Sequence, residues 1–425
     1  MKEIVVFTVG GSHQPIVTAI KNLQPDYVCF ICSEDDVATG SKGSWIQIEQ
    51  KGLIIKKSFS DDKPTLPNIP TQCDLTRDQY DVVRIEADQL VAAVSSIKQR
   101  LRELIESYPL ANLTADYTGG TKTMSAGLVL STLDFPQVGL HVVTGPRSNL
   151  VKVDDKSELG TMVSIDSLRF SQQLGNSVGA WQGFGYDLAA ESLDQLRVPQ
   201  DRQQHGTHCR LRDLSRAFAA WDRFDHKEAY DLLQRYQTKV GPVIGYTLTF
   251  LKMLNSDDKR QAPAQWLDLW LNAKRRAKQQ RYDDAVARCY RLWEWAAQWI
   301  LESRHQLKTA DLPHELQLPF DLPVNRDGKR QASLLQSWRL IAAMDNDSVA
   351  NFMREQEERL RDLSQSRNGS ILAHGYASVS IEQWEVIEAW TGNELVPVMC
   401  GEFAKNGVKL DLERLQLPSS AKAFM

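Results

Sequence analysis

The segment Thr118-Gly119-Gly120-Thr121-Lys122 has the residue types of an anion-binding turn. It lies between an apolar run that predicts a strand and a segment that predicts a helix. Backbone N–H groups and the positive end of the helix dipole favour a phosphate at such a turn. The threonine hydroxyls add donors, and Lys122 adds a positive charge. The spacing is not that of a P-loop, because Lys122 follows a threonine and the required earlier glycine is missing.

A second glycine turn, Gly10-Gly11-Ser12, follows the first predicted strand and lacks the spacing of a dinucleotide fingerprint. In a parallel sheet both turns would lie at the carboxyl edge, where such sheets bind ligands. The sequence therefore predicts a phosphate or nucleotide site, to which Asp116 could add a polar contact. The predicted ligand-binding residues are Gly10, Gly11, Ser12, His13, Ser33, Thr118, Gly119, Gly120, Thr121 and Lys122. The alternative is that both segments are only tight strand-to-helix turns.

Two polar residues, Arg367 and His374, end an otherwise apolar helical stripe. They are two helical turns apart, and Met353 and Leu360 continue the same spacing towards the amino end. Polar groups on a core-facing stripe need partners or a cleft. Histidine can transfer protons near neutral pH, and arginine can stabilise a phosphate. The alternative is a paired core histidine, with Arg367 in a structural salt bridge.

Cysteine and histidine spacing gives little support for a metal or redox site. Cys29 and Cys32 lie within a predicted strand that would point them to opposite faces, so we expect two buried cysteines. His205, His208 and Cys209 are close in sequence but lack a fourth ligand at a suitable spacing. We predict no metal site and no cofactor. The cysteine usage and the lack of a secretory signal favour the cytoplasm.

The two halves of the chain predict different folds. Strands at 4–9, 26–32, 113–117 and 138–143 alternate with helices at 14–23, 88–107 and 122–133, and Gly145-Pro146 closes the last strand. This alternation predicts a doubly wound parallel sheet. From about residue 201 the chain is almost wholly helical, with a hairpin at 212–236, a Trp-rich helix at 283–302, a loop at 326–329 and a last helix at 348–374.

The charge distribution excludes nucleic-acid binding through the overall electrostatic field. Residues 1–200 hold 18 Lys+Arg against 24 Asp+Glu, and the remaining residues hold 32 against 30, which together give the net charge of −4. Neither half is basic enough to attract a polyanion by itself. Any RNA or nucleotide contact must therefore be local. No apolar run is long enough for a membrane span.

The glycine and arginine–histidine motifs resemble those of one effector family. The segment from Asp116 to Met124 resembles the D-x-T-G-G-T-K-x-M motif of CARF domains, the Rossmann-like cyclic-oligoadenylate sensors of type III CRISPR systems. Gly10-Gly11-Ser12 resembles the first ligand loop of that family. Arg367-Asn368 through His374 resembles the R-x(4–6)-H motif of HEPN ribonucleases in its six-residue-spacer form. The two motifs occur in the order and at the distance found in CARF–HEPN effectors.

This resemblance covers about residues 1–160 and 265–390 and implies an α/β plus all-α architecture. A Rossmann-like CARF domain with a parallel sheet is expected at 1–165, and a helical HEPN nuclease domain at 265–425. Residues 166–264 are expected to form a mainly helical linker region, for which neither motif gives specific support.

The resemblance also implies a homodimeric, metal-independent endoribonuclease, with cyclic oligoadenylate as allosteric activator and single-stranded RNA as substrate. Arg367, Asn368 and His374 would be catalytic, and the products would be a 2',3'-cyclic phosphate and a 5'-OH. Glu294, near Arg291 on the Trp-rich helix, would be a structural partner of Arg367.

Two other functions stay open. One is a ring nuclease that cleaves the cyclic ligand, with Ser12, Thr118 and Lys122 as its site. The other is a non-enzymatic CARF regulator, whose helical half would be an interaction or DNA-binding module.

Overall fold

The computed structural model describes residues 1–37, 40–56, 64–144, 159–196, 201–368 and 376–425, without the side chains of 64, 242, 365–368 and 413. The chain divides into two compact units, Met1–Gln172 and Gln173–Met425. The division into three segments, with a linker at 166–264, stays a prediction.

The first unit is an α/β unit built on a six-stranded sheet. The strands of this sheet are β1 (Glu3–Val9), β2 (Tyr27–Ser33), β5 (Tyr80–Ile85), β6 (Asn112–Asp116), β7 (Val138–Thr144) and β8 (Leu159–Val163), in the order β5-β2-β1-β6-β7-β8. β3 (Ile55–Lys56) and β4 (Pro64–Leu66) form a small antiparallel pair. The helices are α1 (Gln14–Leu23), α2 (Ile46–Glu49), α3 (Ile69–Gln72), α4 (Leu90–Ser107) and α5 (Lys122–Thr132).

The predicted α/β fold is confirmed, but the sequence pattern missed two strands of the large sheet, β5 and β8, and both strands of the small pair. All neighbouring strands of the large sheet are parallel except β8, which pairs antiparallel with β7. β8 is largely exposed and β5 is mostly half-buried, so neither has the buried apolar run that marks β1 and β2. The sheet is therefore mixed at one edge, where the prediction was of a purely parallel sheet.

Helices cover both faces of the large sheet. α1 packs with one apolar cluster, and α4 and α5 pack with the other. Cys29 lies in the second cluster and Cys32 in the first, on opposite faces as their spacing predicts. Both thiols are buried, and burial raises the pKa of Cys32 to about 12. These cysteines are therefore core residues.

The second unit is helical in its described residues. Its helices are α6 (Asp166–Gly179, which begins in the first unit), α7 (Tyr186–Asp194), α8 (Arg202–Asp222), α9 (His226–Leu233), α10 (Gln237–Leu254), α11 (Gln261–Lys278), α12 (Tyr282–His305), α13 (Leu334–Met344), α14 (Ser348–Asn368), α15 (Ile381–Trp390) and α16 (Val396–Lys405). The predicted hairpin corresponds to α8 and α9. The last long helix begins where predicted, and residues 369–374 of the prediction lie outside the described residues.

Buried tryptophans hold the second unit together around α12. The indole N–H of Trp293 donates to Thr391 Oγ1 at 3.0 Å, and that of Trp338 donates to the Trp293 carbonyl at 3.1 Å. Trp266 donates in the same way to the Leu292 carbonyl. Each large ring thus fills the core while its one polar atom has a partner.

A buried ionic junction connects α8 with α11. Asp222 accepts from Arg275 Nε at 2.8 Å and from Asn272 Nδ2 at 3.0 Å, and it also pairs with Arg276. Burial lowers the pKa of Arg275, whose guanidinium lies 3.6 Å from Asp268. These charges connect α8, which lies within the predicted linker region, to α11, which spans the predicted boundary near residue 265.

No helix among the described residues is long and apolar enough to cross a membrane.

Candidate functional site

The two glycine turns meet at one edge of the sheet. β1 and β6 are parallel neighbours, so Gly10 and Gly119-Gly120 follow adjacent carboxyl ends. A Cβ added to Gly10 would lie 2.7 Å from the Gly120 backbone nitrogen. This close approach leaves no space for a side chain at residue 10. The topology thus brings together two segments that are more than a hundred residues apart in the sequence.

The second turn needs glycine for two separate reasons. A Cβ at Gly119 would lie 2.3 Å from the Thr8 carbonyl oxygen, which no side chain could accept. Gly120 has a φ of +86°, in the region that favours glycine. Gly11 has open space around it, and both Gly11 and Ser12 are exposed. The backbone at Gly119 and Gly120 therefore packs closely against the first strand, whereas Gly11 and Ser12 face solvent.

Thr121 caps α5, and this role occupies its hydroxyl. Its Oγ1 accepts from the Met124 N–H at 3.2 Å and donates to the Ala87 carbonyl at 2.7 Å. The N–H groups of Lys122 and Thr123 lie in the first turn, where a helix supplies no acceptor. The Lys122 side chain is exposed. The helix start therefore offers backbone donors and one ammonium to an anion.

Asp116 holds the second glycine turn through a hydrogen bond to its backbone. It is fully buried, and its Oδ1 accepts from the Thr118 N–H at 2.8 Å. Its Oδ2 lies 2.6 Å from His141 Nδ1. Thr118 Oγ1 in turn accepts from the Val143 N–H at 2.8 Å. The sequence suggested Asp116 as a polar contact for the ligand, but the fold buries it behind Thr118.

The loop after β2 forms a further wall of this edge. Ser33 exchanges hydrogen bonds with Ser44, at 2.8 Å in both directions between backbone N–H and side-chain oxygen. Gln47 Nε2 donates to the Gly10 carbonyl and so joins α2 to the first glycine turn. Gln47 was missed by the sequence analysis, because a four-residue helix leaves no periodic signal. His13 stands at the amino end of α1, where its carbonyl accepts from the Val17 N–H at 3.0 Å.

The predicted nuclease stripe lies on α14. Met353, Leu360 and Leu363 are buried, as the spacing predicts. Arg367 and Asn368 occupy the last turn of α14, but their side chains are not described. His374 lies outside the described residues. The catalytic assignment of Arg367, Asn368 and His374 therefore stays a prediction.

An ion cluster fixes the amino end of α14 against α12. Arg304 donates to Asp345 at 2.7 Å and pairs with Asp347 at 2.9 Å and with Glu402. Asp347 also caps α14 by accepting from the Ala350 N–H at 3.1 Å. Arg304 belongs to the carboxyl end of α12, so α12 and α14 run antiparallel from this cluster. These ion pairs therefore set the position of the stripe on α14 along the length of α12.

The other end of α12 lies near the segment that follows the motif. Asp283, in the first turn of α12, accepts from the Val379 N–H at 3.5 Å. Further along, Trp390 Nε1 donates to Gln356 on α14 at 2.8 Å. The carboxyl end of α14, with Arg367, therefore extends towards the amino end of α12.

Glu294 has a described partner on its own helix. Its Oε2 accepts from Arg291 Nη1 at 2.8 Å, and the same nitrogen donates to Gln298 at 3.0 Å. Both charged side chains are at least a third exposed. The predicted pairing of Glu294 with Arg367 stays a prediction.

The histidine and cysteine residues of α8 do not form a metal cluster. His208 Nε2 lies 2.8 Å from the Leu193 carbonyl, and Cys209 Sγ lies 3.5 Å from His205 Nε2. In the part of the chain that the structure describes, no three His, Cys, Asp or Glu residues are placed to hold a metal ion.

Comparison with known proteins finds a family match within the second unit. Residues 255–393 match the family model described as the Csm6 HEPN domain. The matched segment contains Arg367 and His374, so the predicted similarity to HEPN proteins is confirmed for this segment, while the roles of the two residues stay predictions.

Nearly the whole chain also resembles a solved structure in its fold. That structure is Enterococcus italicus Csm6 bound to cyclic hexa-2'-fluoro-hexa-dAMP, with 12% identity, 94% of each chain covered and a TM-score of 0.51. At this identity the likeness concerns the fold. No curated protein matches the chain. The two findings confirm the predicted α/β plus all-α architecture.

Proposed function

We propose that this CARF–HEPN protein is an endoribonuclease that cyclic oligoadenylate switches on. The observation that carries the proposal is that one chain combines a sheet edge built by Gly10, Gly119 and Gly120, called the glycine edge below, with a segment that matches the Csm6 HEPN domain and contains Arg367 and His374. The first would bind the activator, and the second would cleave single-stranded RNA.

The chemistry of the glycine edge suits a phosphodiester ligand. Gly10, Gly119 and Gly120 let a ligand approach the backbone closely, and the start of α5 supplies N–H groups and Lys122. Ser12 is exposed beside them as a further donor. A cyclic oligoadenylate presents several phosphates, and two copies of this edge in a dimer would engage more of them than one copy.

The proposed cleavage uses the RNA's own 2'-OH as nucleophile. One histidine takes the 2'-OH proton as the oxygen attacks phosphorus, and a proton is delivered to the departing 5'-oxygen. Arg367 stabilises the charge that develops on the phosphorane oxygens. The P–O5' bond breaks, which leaves a 2',3'-cyclic phosphate and a 5'-OH. Asn368 would orient His374 or the phosphate.

A composite site in a homodimer supplies the second proton-transfer group. One chain has one His374, whereas the reaction needs one group to accept a proton and another to donate one. A symmetric dimer places two Arg367 and two His374 at one cleft. The activator would then favour the dimer state in which these groups are aligned.

The deciding experiment incubates the protein with labelled RNA, alone and with cyclic tri-, tetra- or hexa-adenylate, in buffer containing EDTA. We expect cleavage with one ring size, without added metal, and with cyclic phosphate ends. Full loss of cleavage in EDTA, with recovery in Mg²⁺ or Mn²⁺, would contradict the metal-independent mechanism.

A parallel incubation with labelled cyclic oligoadenylate alone separates the alternatives. Ligand cleavage without RNA cleavage would establish a ring nuclease acting through the glycine edge. Ligand binding without cleavage of either substrate would indicate a non-enzymatic regulator.

A further inference from the structure

Asp116 and His141 form a buried polar pair near the glycine edge. Asp116 has no exposed surface and His141 is 3% exposed. The two residues are opposite each other in the register of β6 and β7, and Nδ1 lies 2.6 Å from Oδ2. A buried carboxylate is costly unless it has hydrogen-bond partners, so His141 satisfies one oxygen that water cannot reach.

The second oxygen of Asp116 connects this pair to the glycine turn. Asp116 Oδ1 accepts from the Thr118 N–H at 2.8 Å, and Thr118 Oγ1 accepts from the Val143 N–H at 2.8 Å. Thr118 is thus held at its backbone by β6 and at its side chain by β7. Because Oγ1 accepts from Val143, the hydroxyl hydrogen is left to donate to another group.

The His141 ring is closed off from solvent. A Cβ added to Gly160 on β8 would lie 2.6 Å from His141 Nε2, so β8 covers the far side of the ring. The ring is enclosed between Asp116 on one side and β8 on the other. The His141 carbonyl accepts from the Tyr117 N–H at 3.3 Å, a backbone contact that a side-chain substitution keeps, so the ring acts on the edge through Asp116.

We propose that His141 is a positioning residue for the ligand turn. Through Asp116 it fixes the backbone of Thr118, which presents its hydroxyl as a donor to a ligand phosphate. Without His141, the buried Oδ2 of Asp116 would lose its partner, and the carboxylate would reorient and release the Thr118 N–H. This inference rests on the proposed binding of cyclic oligoadenylate at the edge.

The test compares His141→Leu, which removes the hydrogen bond, with His141→Asn, whose amide can replace Nδ1 as donor. We expect His141→Leu to raise the activator midpoint for RNA cleavage roughly 5- to 30-fold, with little change in the rate at saturation. His141→Asn should restore most of the affinity. Adding Thr118→Val to His141→Leu should raise the midpoint little further, because both changes remove the same contact.

A matched control removes a buried polar group at the opposite edge of the sheet. Arg169 donates to the Thr132 and Val138 carbonyls, both at 2.8 Å, near the amino end of β7. Arg169→Met should lower the melting temperature but leave the activator midpoint unchanged. An equal midpoint shift in Arg169→Met, or a wild-type midpoint in folded His141→Leu, would overturn the positioning role.

Hydrogen exchange of the free protein tests the positioning without any ligand. Amides of residues 117–123 should exchange faster in His141→Leu than in wild type, and at the wild-type rate in His141→Asn and Arg169→Met. Unchanged exchange in His141→Leu would refute the inference. If wild type binds no cyclic oligoadenylate, the proposed function fails, while the exchange data still decide whether His141 positions the turn.

Discussion

The glycine edge of the first unit and the nuclease stripe of the second unit are built by different means. At the edge, backbone approaches backbone, because Gly10 and Gly120 leave no space for a side chain between them. In the second unit, long helices carry the proposed site. Charged side chains set the positions of these helices relative to one another, as Arg304 does between α12 and α14. Substitutions that add a side chain should therefore disturb the glycine edge most, and substitutions that remove a charge should disturb the helical unit most.

The difference follows from the chemistry each region is proposed to perform. A phosphate-binding turn needs N–H groups exposed to the ligand, which only an open backbone can supply. A proton-transfer site needs particular side chains at a fixed separation, which helical spacing supplies. Four predictions test this contrast, in order of decreasing effect.

The largest effect is expected from His374→Ala. Loss of a general acid or base typically lowers a rate about 10²- to 10⁴-fold. RNA cleavage should fall by that factor while cyclic-oligoadenylate binding is retained. His314 is exposed, and its Nε2 lies 3.0 Å from the Gly328 carbonyl. The control variant His314→Ala should cleave RNA at the wild-type rate. Cleavage by His374→Ala at the wild-type rate would place the active site elsewhere.

Asp222→Ala tests the charged junction of the second unit. It removes the nearer of the two carboxylates beside the completely buried Arg275, and the partner of Arg276, so the free energy of unfolding should fall by about 3–5 kcal/mol. The exposed pair Asp258–Arg260 supplies the control, because Asp258→Ala should change the free energy of unfolding by less than about 0.5 kcal/mol. Thermal and denaturant unfolding measure both. Equal stabilities would show that the buried charges do not hold α8 and α11 together.

Lys122→Ala tests the charge at the glycine edge. One charge-assisted contact is worth about 1.5–3 kcal/mol, so the activator midpoint should rise roughly 10- to 150-fold. Cleavage at saturating activator should fall less than in His374→Ala. Lys98 of α4, which pairs with Asp134 just after α5, provides the charge-matched control Lys98→Ala. An unchanged midpoint for Lys122→Ala would mean that this turn only connects a strand to a helix.

Gly120→Ala and Gly11→Ala form a pair that tests the backbone argument. Alanine at residue 120 would adopt a φ of +86° with its Cβ 2.9 Å from Thr8 Cβ, and should destabilise the first unit by about 1–3 kcal/mol. Gly11 has open space and no positive φ, so Gly11→Ala should leave the melting temperature near wild type. Equal melting temperatures would show that the close approach of the two turns is not required.

The sequence by itself determined the fold class, both glycine turns and the apolar stripe that ends in Arg367. These are local patterns, because β-branched runs, glycine pairs and helical spacing act over a few residues. The buried positions of Met353 and Leu360 and the opposite faces of Cys29 and Cys32 follow from that spacing alone.

Only the tertiary structure decided which residues support the turns. Asp116 looked like a ligand contact, but pairing of β6 with β7 placed it against His141, and Gln47 reached Gly10 from a helix too short to predict. Strands β5 and β8 were missed because their exposed faces lack an apolar pattern. Contacts between distant segments depend on strand order and register, and no local pattern in the sequence specifies either.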